Sequence, residues 1–229
     1  MQKYIVTGAS KGIGYATTIS LLERGDKVIA VARSEKILSK LVNNYSEAVI
    51  PIAVDISTEA GLKKIISVSK DQNGIDGLIN NAAILINKSF KELTVEEWRH
   101  HFEVNLFSVV NLIQSLLPYF NKNAHILNIG SMGGYQGSIK FKGLCAYSGS
   151  KAALANLTES LALELSNDQI RVNCLALGTV STEMQQNAFP NIKPSVSAKM
   201  IGEYIANFIT SDGKLFNGKI IPVALNNPI

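Results

Sequence analysis

A doubly wound α/β fold, with a parallel sheet of about seven strands and helices on both faces, is predicted by three observations. Short runs rich in Val and Ile recur seven times, segments with helical apolar spacing separate most of them, and the connections are short. The chain opens on such a run at 4–7, and a helical segment follows at 13–22. Gly25 stops it in the turn-like linker 24–26. Strand-like runs at 28–32 and 49–54 come next, then a helical segment at 62–68 and a second glycine stop, Gly74, in 73–77. A short run at 78–79 leads into a long helical pattern over 95–120. Beyond it lie a strand at 126–129, a helix at 147–165, a strand at 171–176, a helix at 198–209 and a last strand at 219–223.

The 229 residues contain no low-complexity tract, repeat or composition shift, so one domain over 1–229 is expected, and 46% hydrophobic residues give it a substantial core. The net charge of +4 comes from 22 basic and 18 acidic residues scattered along the chain, and the absence of a clustered basic face argues against nucleic acid as a partner. Cys145 and Cys174 are too few for a disulfide framework and lack the spacing of a zinc or redox pair, which fits a reducing, cytoplasmic location. Lys3 leads straight into the first strand, leaving no room for a targeting segment, and no stretch reaches the roughly 18 apolar residues of a membrane span. No metal is expected: His100 and His101 are adjacent and so point to different helix faces, and no carboxylate completes a ligand set with them or His125.

The first chemical signal is TGASKGIG at 7–14, between the first strand and the first helix. A glycine-rich turn at that place removes side chains where a diphosphate must approach, and it aims free helix N–H groups at the anion. Gly8, Ser10, Lys11, Gly12, Ile13 and Gly14 are therefore candidate nucleotide contacts. After the second strand the chain offers Arg33 and Ser34 instead of a carboxylate, which favours the extra phosphate of NADP(H) over the bare ribose of NAD; Lys11 adds a second positive charge. Tyr147 and Lys151, four apart at a helix start, project from one face. A phenol with a pKa near 10 is a poor acid or base at neutral pH; a neighbouring ammonium favours the phenolate, and a shift of ~3 units needs roughly 4 kcal/mol. Ser131, after the fifth strand, supplies a hydroxyl to hold a carbonyl oxygen beside that phenol.

These motifs resemble, over nearly the whole chain, the short-chain dehydrogenase/reductase family in its compact branch. TGASKGIG resembles the branch's TGxxxGxG cofactor turn, and Asp55 with Ile56 resembles the acidic pair that contacts the adenine. NNAA at 80–83, with Asn81 and Ala82, resembles the segment after the fourth strand, Asn105 falls at the family's catalytic Asn, Ser131 at its catalytic Ser, and YSGSK at 147–151 fits YxxxK. RVNCLALG at 171–178 resembles the strand leading to the nicotinamide loop, which implies cofactor contacts from Gly178, Val180 and Thr182.

Four departures mark this chain: Ala83 replaces a usual Gly, Leu177 replaces the usual Pro before Gly178, Ser131 and Tyr147 stand farther apart than is common, and the chain ends PVALNNPI without paired glycines. The second departure predicts a looser nicotinamide loop.

The resemblance implies a Rossmann-like enzyme that transfers a hydride between the nicotinamide of NADP(H) and a small or medium carbonyl or secondary alcohol. Tyr147 exchanges the proton, Lys151 binds the nicotinamide ribose, Ser131 orients the substrate oxygen, and Asn105, also readable as a helix-bend residue, steadies a water beside the Lys. Pocket residues are expected from 132–145 and 182–194. A 3-oxoacyl-thioester (acyl carrier protein) reductase is a narrower reading that the pI of about 9.0 suits, and a non-catalytic nucleotide-sensing or scaffold protein is a third. The apolar character of 104–120, with small residues in 147–165, predicts a homodimer or homotetramer built through these two helices.

Overall fold

The computed structural model describes residues 1–225. Seven strands, β1 (Lys3–Thr7), β2 (Lys27–Ala32), β3 (Val49–Ala53), β4 (Ile75–Asn80), β5 (Phe120–Ser131), β6 (Arg171–Leu177) and β7 (Ile220–Val223), form one sheet in the order β3-β2-β1-β4-β5-β6-β7. Every adjacent pair is parallel. The chain first winds outward from β1 to β3, then crosses back to β4 and winds the other way. That reversal opens a crevice beyond the carboxyl ends of β1 and β4, the place where a sheet of this kind binds ligands.

Because side chains alternate across a strand, each strand feeds two cores. Tyr4, Val6, Val28 and Ala30 pack on the side of α1 (Gly12–Glu23), α2 (Glu35–Tyr45) and α8 (Ala198–Thr210). Ile5, Ile29 and Val31 pack on the opposite side, with Ile65 of α3 (Glu59–Lys70), Leu112 and Ile113 of α5 (Ser108–Leu116) and Leu154 of α6 (Cys145–Glu164). A buried polar bridge ties the second side to the sheet: Asn80 Nδ2 donates to Asn128 Oδ1 at 2.9 Å, and Asn128 Nδ2 donates to Thr158 Oγ1 at 2.9 Å.

Three departures from the sequence expectation concern helices, the first being the short α7 (Glu183–Ala188), which was not expected. The α2 helix was not expected, although Leu38 and Leu41, three apart, form its buried face. The long helix expected over 95–120 is broken into α4 (Val95–Phe102), a π-helical segment (Glu103–Phe107), α5, and a 3-10 turn at Leu117–Tyr119. Phe120 already belongs to β5. Pro118 lies in that final turn, where it cannot donate to a continuing helix, and the π segment follows from the inward turn of Asn105 described below. Pro222 and Val223 of the C-terminal motif lie in β7, whereas residues 226–229 fall outside the described residues.

Candidate active site

The glycine turn after β1 is built around backbone approach. Gly8 and Gly12 take φ of +70° and +57°, the left-handed region that glycine alone adopts freely. A Cβ on Gly14 would lie well under 3.0 Å from the Gly8 carbonyl oxygen and the Asn81 amide, so the turn closes only around a bare α-carbon. Lys11, the N-cap of α1, makes no capping bond with its side chain, and the first turn holds no acidic residue. The leading N–H groups of α1 therefore remain available to an anion. Thr7 stitches this turn to the end of β4: its Oγ1 accepts from the N–H groups of Asn81 and Ala82, each at 3.0 Å, and its carbonyl accepts from Asn81 Nδ2 at 2.9 Å. Nothing in the motif itself marks Thr7 for this role; its partners arrive from β4.

From this turn a cleft of about 630 Å³ runs across the carboxyl ends of the strands. Gly8, Ser10, Lys11, Gly12 and Ile13 line it, as do Arg33 and Ser34 after β2, Asp55 and Ile56 after β3, Asn81 and Ala82 after β4, and Gly178, Val180 and Thr182 after β6. Gly14 does not line the cleft; it lies behind the wall, where its bare α-carbon shapes the turn. Burial alone would raise the Asp55 carboxyl, but the Ser57 hydroxyl at 2.7 Å and N–H at 2.9 Å donate to it. With the charges of Arg33 and His100, they hold it below the usual carboxylate range. Lys11 is not a free cation as the sequence suggested: its Nζ pairs with Glu183 Oε1 at 2.9 Å, joining the glycine turn to α7 (Glu183–Ala188) across the mouth of the cleft. Leu177, in place of a proline, does not leave the following loop unsupported, because the Gly178 N–H donates to the Val223 carbonyl at 2.9 Å and extends the β6–β7 pairing.

At the far end Ser131, Tyr147 and Lys151 line the same cleft. Ser131 ends β5, and its Oγ accepts from the Gly133 N–H at 3.1 Å. Tyr147 lies in the first turn of α6, and Lys151 lies one turn on, with its Nζ 6.0 Å from the phenol ring centroid. Burial raises the Tyr147 phenol above its ordinary pKa, and a hydrogen bond with Ser131 acts weakly the other way. The Lys151 ammonium donates to the Ile129 carbonyl at 2.8 Å and makes no hydrogen bond to the phenol in this arrangement. Lys151 is itself buried, which pushes its pKa down to about 8, while neighbouring Cys174 acts to raise it.

Asn105 stands apart from these three. Completely buried in the π segment, it does not line the cleft. Its Oδ1 accepts from the Ile84 N–H at 2.9 Å, and its Nδ2 donates to the Ile84 carbonyl at 3.1 Å and to Ser150 Oγ at 3.0 Å. The residue thus fastens the segment that leaves β4 to α6 beside Tyr147 and Lys151, and the helix widens to bring it there. Its helix-bend reading is the one its side-chain bonds express.

The histidines divide by environment. His100 lines the cleft, His101 is buried with its Nε2 accepting from the Ile86 N–H at 3.1 Å, and His125 packs on Phe208 in the core. Among the described residues no group of three His, Cys, Asp or Glu side chains is placed to hold a metal ion.

The family model described as short chain dehydrogenase matches residues 2–193. A benzil reductase, (S)-benzoin forming, from Saccharomyces cerevisiae is 30% identical over 199 residues, covering 83% of this chain and 76% of that protein. Two solved structures have the same fold over nearly their whole lengths. One is a 3-ketoacyl-(acyl-carrier-protein) reductase from Brucella melitensis complexed with NADH, with a TM-score of 0.90, 23% identity, and coverage of 100% of this chain and 98% of that one. The other is an L-sorbose reductase from Gluconobacter frateurii complexed with NADPH and L-sorbose, with a TM-score of 0.87, 24% identity, and coverage of 99% and 96%. With the glycine turn, the reversal point of the sheet and the Ser131, Tyr147 and Lys151 cluster in one cleft, the chain belongs to the short-chain dehydrogenase/reductase family of oxidoreductases.

Proposed function

We propose that the chain, acting as one domain over 1–229, is an NADP(H)-dependent oxidoreductase for a carbonyl or secondary alcohol. The observation that carries this reading is the convergence of Ser131, Tyr147 and Lys151 on the cleft that starts at the uncapped end of α1. The residues present fit a dinucleotide: the glycine turn and free helix N–H groups suit a diphosphate, and Arg33 with Lys11 suits a further phosphate. When bound, the nicotinamide supplies or accepts the hydride. Ser131 holds the substrate oxygen and Tyr147, kept neutral by its raised pKa, gives that oxygen its proton. Lys151 binds the ribose and returns a proton to the phenol, and Asn105 is a positioning residue for α6.

Cofactor choice is the first test. NADPH is expected to be preferred over NADH in kcat/KM, and Arg33→Asp to reverse or abolish the preference; equal values for the two cofactors in the parent protein would remove the assignment. Glu183→Gln refines it. Freed from its exposed partner, Lys11 should bind NADPH up to about fivefold more tightly, the scale of a surface ion pair worth up to ~1 kcal/mol, and the gain should vanish in high salt.

Lys151 sets a pH expectation. Its ammonium is present below about 8 and lost above, so kcat/KM for carbonyl reduction should be level below that pH and fall about tenfold per unit above it. A flat profile from pH 6 to 10 would refute a role for the charged form.

Self-association is part of the same reading. Val95 and Phe107 are exposed and, with Trp98 and Phe102, line a surface groove along α4 and the π segment, while Leu163 of α6 is 78% exposed. A second copy related by a two-fold axis would cover these helices. Light scattering coupled to size exclusion at micromolar concentration should give a dimer or tetramer; a stable, active species near 25 kDa would refute the interface. The unpaired Cys145 and Cys174 favour a reducing compartment, for which we propose the cytoplasm.

A further inference from the structure

The substrate end of the cleft has a chemistry of its own, set by three segments that meet there. The segment leaving β4 is fastened to the long segment between Ser131 and Tyr147, since the Lys88 N–H donates to the Gly143 carbonyl at 3.0 Å. It is also fastened to the end of α7, since Asn87 Nδ2 donates to the Ala188 carbonyl at 2.6 Å. The second and third segments meet through Phe141 and Phe189, whose ring centroids lie 5.7 Å apart at an interplanar angle of 47°, a favourable tilted aromatic pair. Gln185 braces this wall from behind, its Nε2 donating to the Ile192 carbonyl at 2.9 Å and to the Phe189 carbonyl at 3.4 Å.

The surface these segments turn to the cleft is apolar. Phe141 and Phe189 line it together with Met132, Leu144, Met184 and Ile192. Among the described residues of 132–146 and 184–192, the one polar side chain in the lining is Gln185; Asn81 and Glu183, on the first and third segments, are already engaged with the Thr7 carbonyl and Lys11. The Gln185 Nε2 is already engaged, and its Oε1, though unpartnered, is buried. A polyol has several hydroxyls that would lose water there without partners on these two segments, and unpaired burial of hydroxyls is unfavourable. An acyl chain tethered to an acidic carrier would look for cations at the mouth. Neither lysine flanking Phe141 lines the cleft: Lys140 folds back onto the Tyr135 carbonyl and the Ser138 hydroxyl, and Lys142 lies outside the lining. A flat apolar group loses nothing in this environment and gains the faces and edges of two aromatic rings.

Resting on the reading of the cleft as a carbonyl-reducing site, we propose that its substrates are ketones bearing an aryl group, held against the paired rings of Phe141 and Phe189 with the carbonyl directed to Ser131 and Tyr147. Phe141 and Phe189 are then the residues that set specificity, and Gln185 is a positioning residue for Phe189. The longer separation of Ser131 from Tyr147 acquires a purpose, because it supplies Phe141.

Full-chain protein saturated with NADP⁺ is titrated calorimetrically with benzil, L-sorbose and S-acetoacetyl-N-acetylcysteamine as probes. Benzil is expected to bind at least about tenfold more tightly than either of the others, and Phe141→Ala and Phe189→Ala each to weaken it by about five- to tenfold, the scale of an aromatic contact together with its buried area. Phe141→Leu, which keeps the apolar volume, should recover part of the loss and guards against a variant that misfolds. Similar affinity for all three probes, or benzil binding unmoved by both alanine variants, overturns the proposal. NADPH oxidation is read separately on the same panel. Benzil binding as described with no oxidation of NADPH supports the aromatic pocket and refutes the catalytic reading. Turnover of L-sorbose with none of benzil refutes the pocket and leaves the catalytic reading standing.

Discussion

Replacing Tyr147 by Phe is expected to lower turnover of every accepted carbonyl by at least ~100-fold, the scale on which loss of a general acid is felt, while NADPH affinity stays within about twofold. The reasoning is geometric. The phenol, Ser131 and Lys151 are the groups gathered at this end of the cleft that can exchange a proton with a substrate oxygen. Ser131, which accepts from the Gly133 N–H, keeps its O–H to hold the substrate oxygen but is a weaker acid than a phenol, and the Lys151 ammonium is turned toward the Ile129 carbonyl. Burial keeps the phenol protonated at neutral pH, which is the form a reduction needs. Phe retains the ring and its packing, so the variant should melt close to the parent, and cofactor binding by fluorescence should separate lost chemistry from lost structure. Near-parental turnover in a purified, folded variant would show that the proton comes from elsewhere.

The second large effect is expected from one added methyl group. Gly14→Ala should weaken NADPH binding by at least ~100-fold and destabilise the fold by ~1–3 kcal/mol, because the new Cβ meets backbone that cannot yield without opening the glycine turn. The nearest obstacles are the Gly8 carbonyl oxygen and the amide of Asn81, which is itself bonded to the Thr7 carbonyl, so relief of the clash displaces both β1 and the end of β4. Gly149→Ala is the control. It lies in α6 between Tyr147 and Lys151, yet a Cβ there makes ordinary contacts of 3.5 Å with Trp98 and 3.9 Å with Phe102. Replacing a helical glycine by alanine usually adds up to about 1 kcal/mol of stability. Titration of NADPH fluorescence and thermal melts of the two variants should therefore diverge, and parental cofactor affinity in Gly14→Ala would remove the dinucleotide from this turn.

How far the sequence carried the structure depended on the range of the interactions. The sheet was readable because strands buried on both faces show as continuous runs of Val and Ile, and the site cluster because glycines before a helix and a Tyr with a Lys four residues on are local patterns. What escaped needed the third dimension. The pairing of Lys11 with Glu183 joins residues far apart in the chain, and no local pattern distinguishes a lysine awaiting a phosphate from one already engaged. Asn105 is readable as a bend in a stretch of otherwise helical apolar content, but only the Ile84 backbone arriving from β4 explains why the helix widens there. Phe141 and Phe189 fell within the stretches expected to line the pocket, but their meeting across it was not legible from either stretch alone.

Lys151 also has a cost that falls on the folded state as a whole. An unfolded lysine titrates near 10.5, and in the fold this one titrates near 8. Below pH 8 both states carry the charge and the native state bears the full desolvation of the ammonium, on the order of 3 kcal/mol. Between pH 8 and 10.5 the native state releases a proton that the unfolded chain keeps, and the deficit shrinks as pH rises. Lys151→Met should accordingly yield a protein that turns over nothing but resists urea better than the parent at pH 7, less the contribution of the donor lost to the Ile129 carbonyl. That advantage should fade when the same unfolding curves are measured near pH 10. Seen this way, the native state is held less stable than its sequence allows, and the shortfall is located at one nitrogen atom.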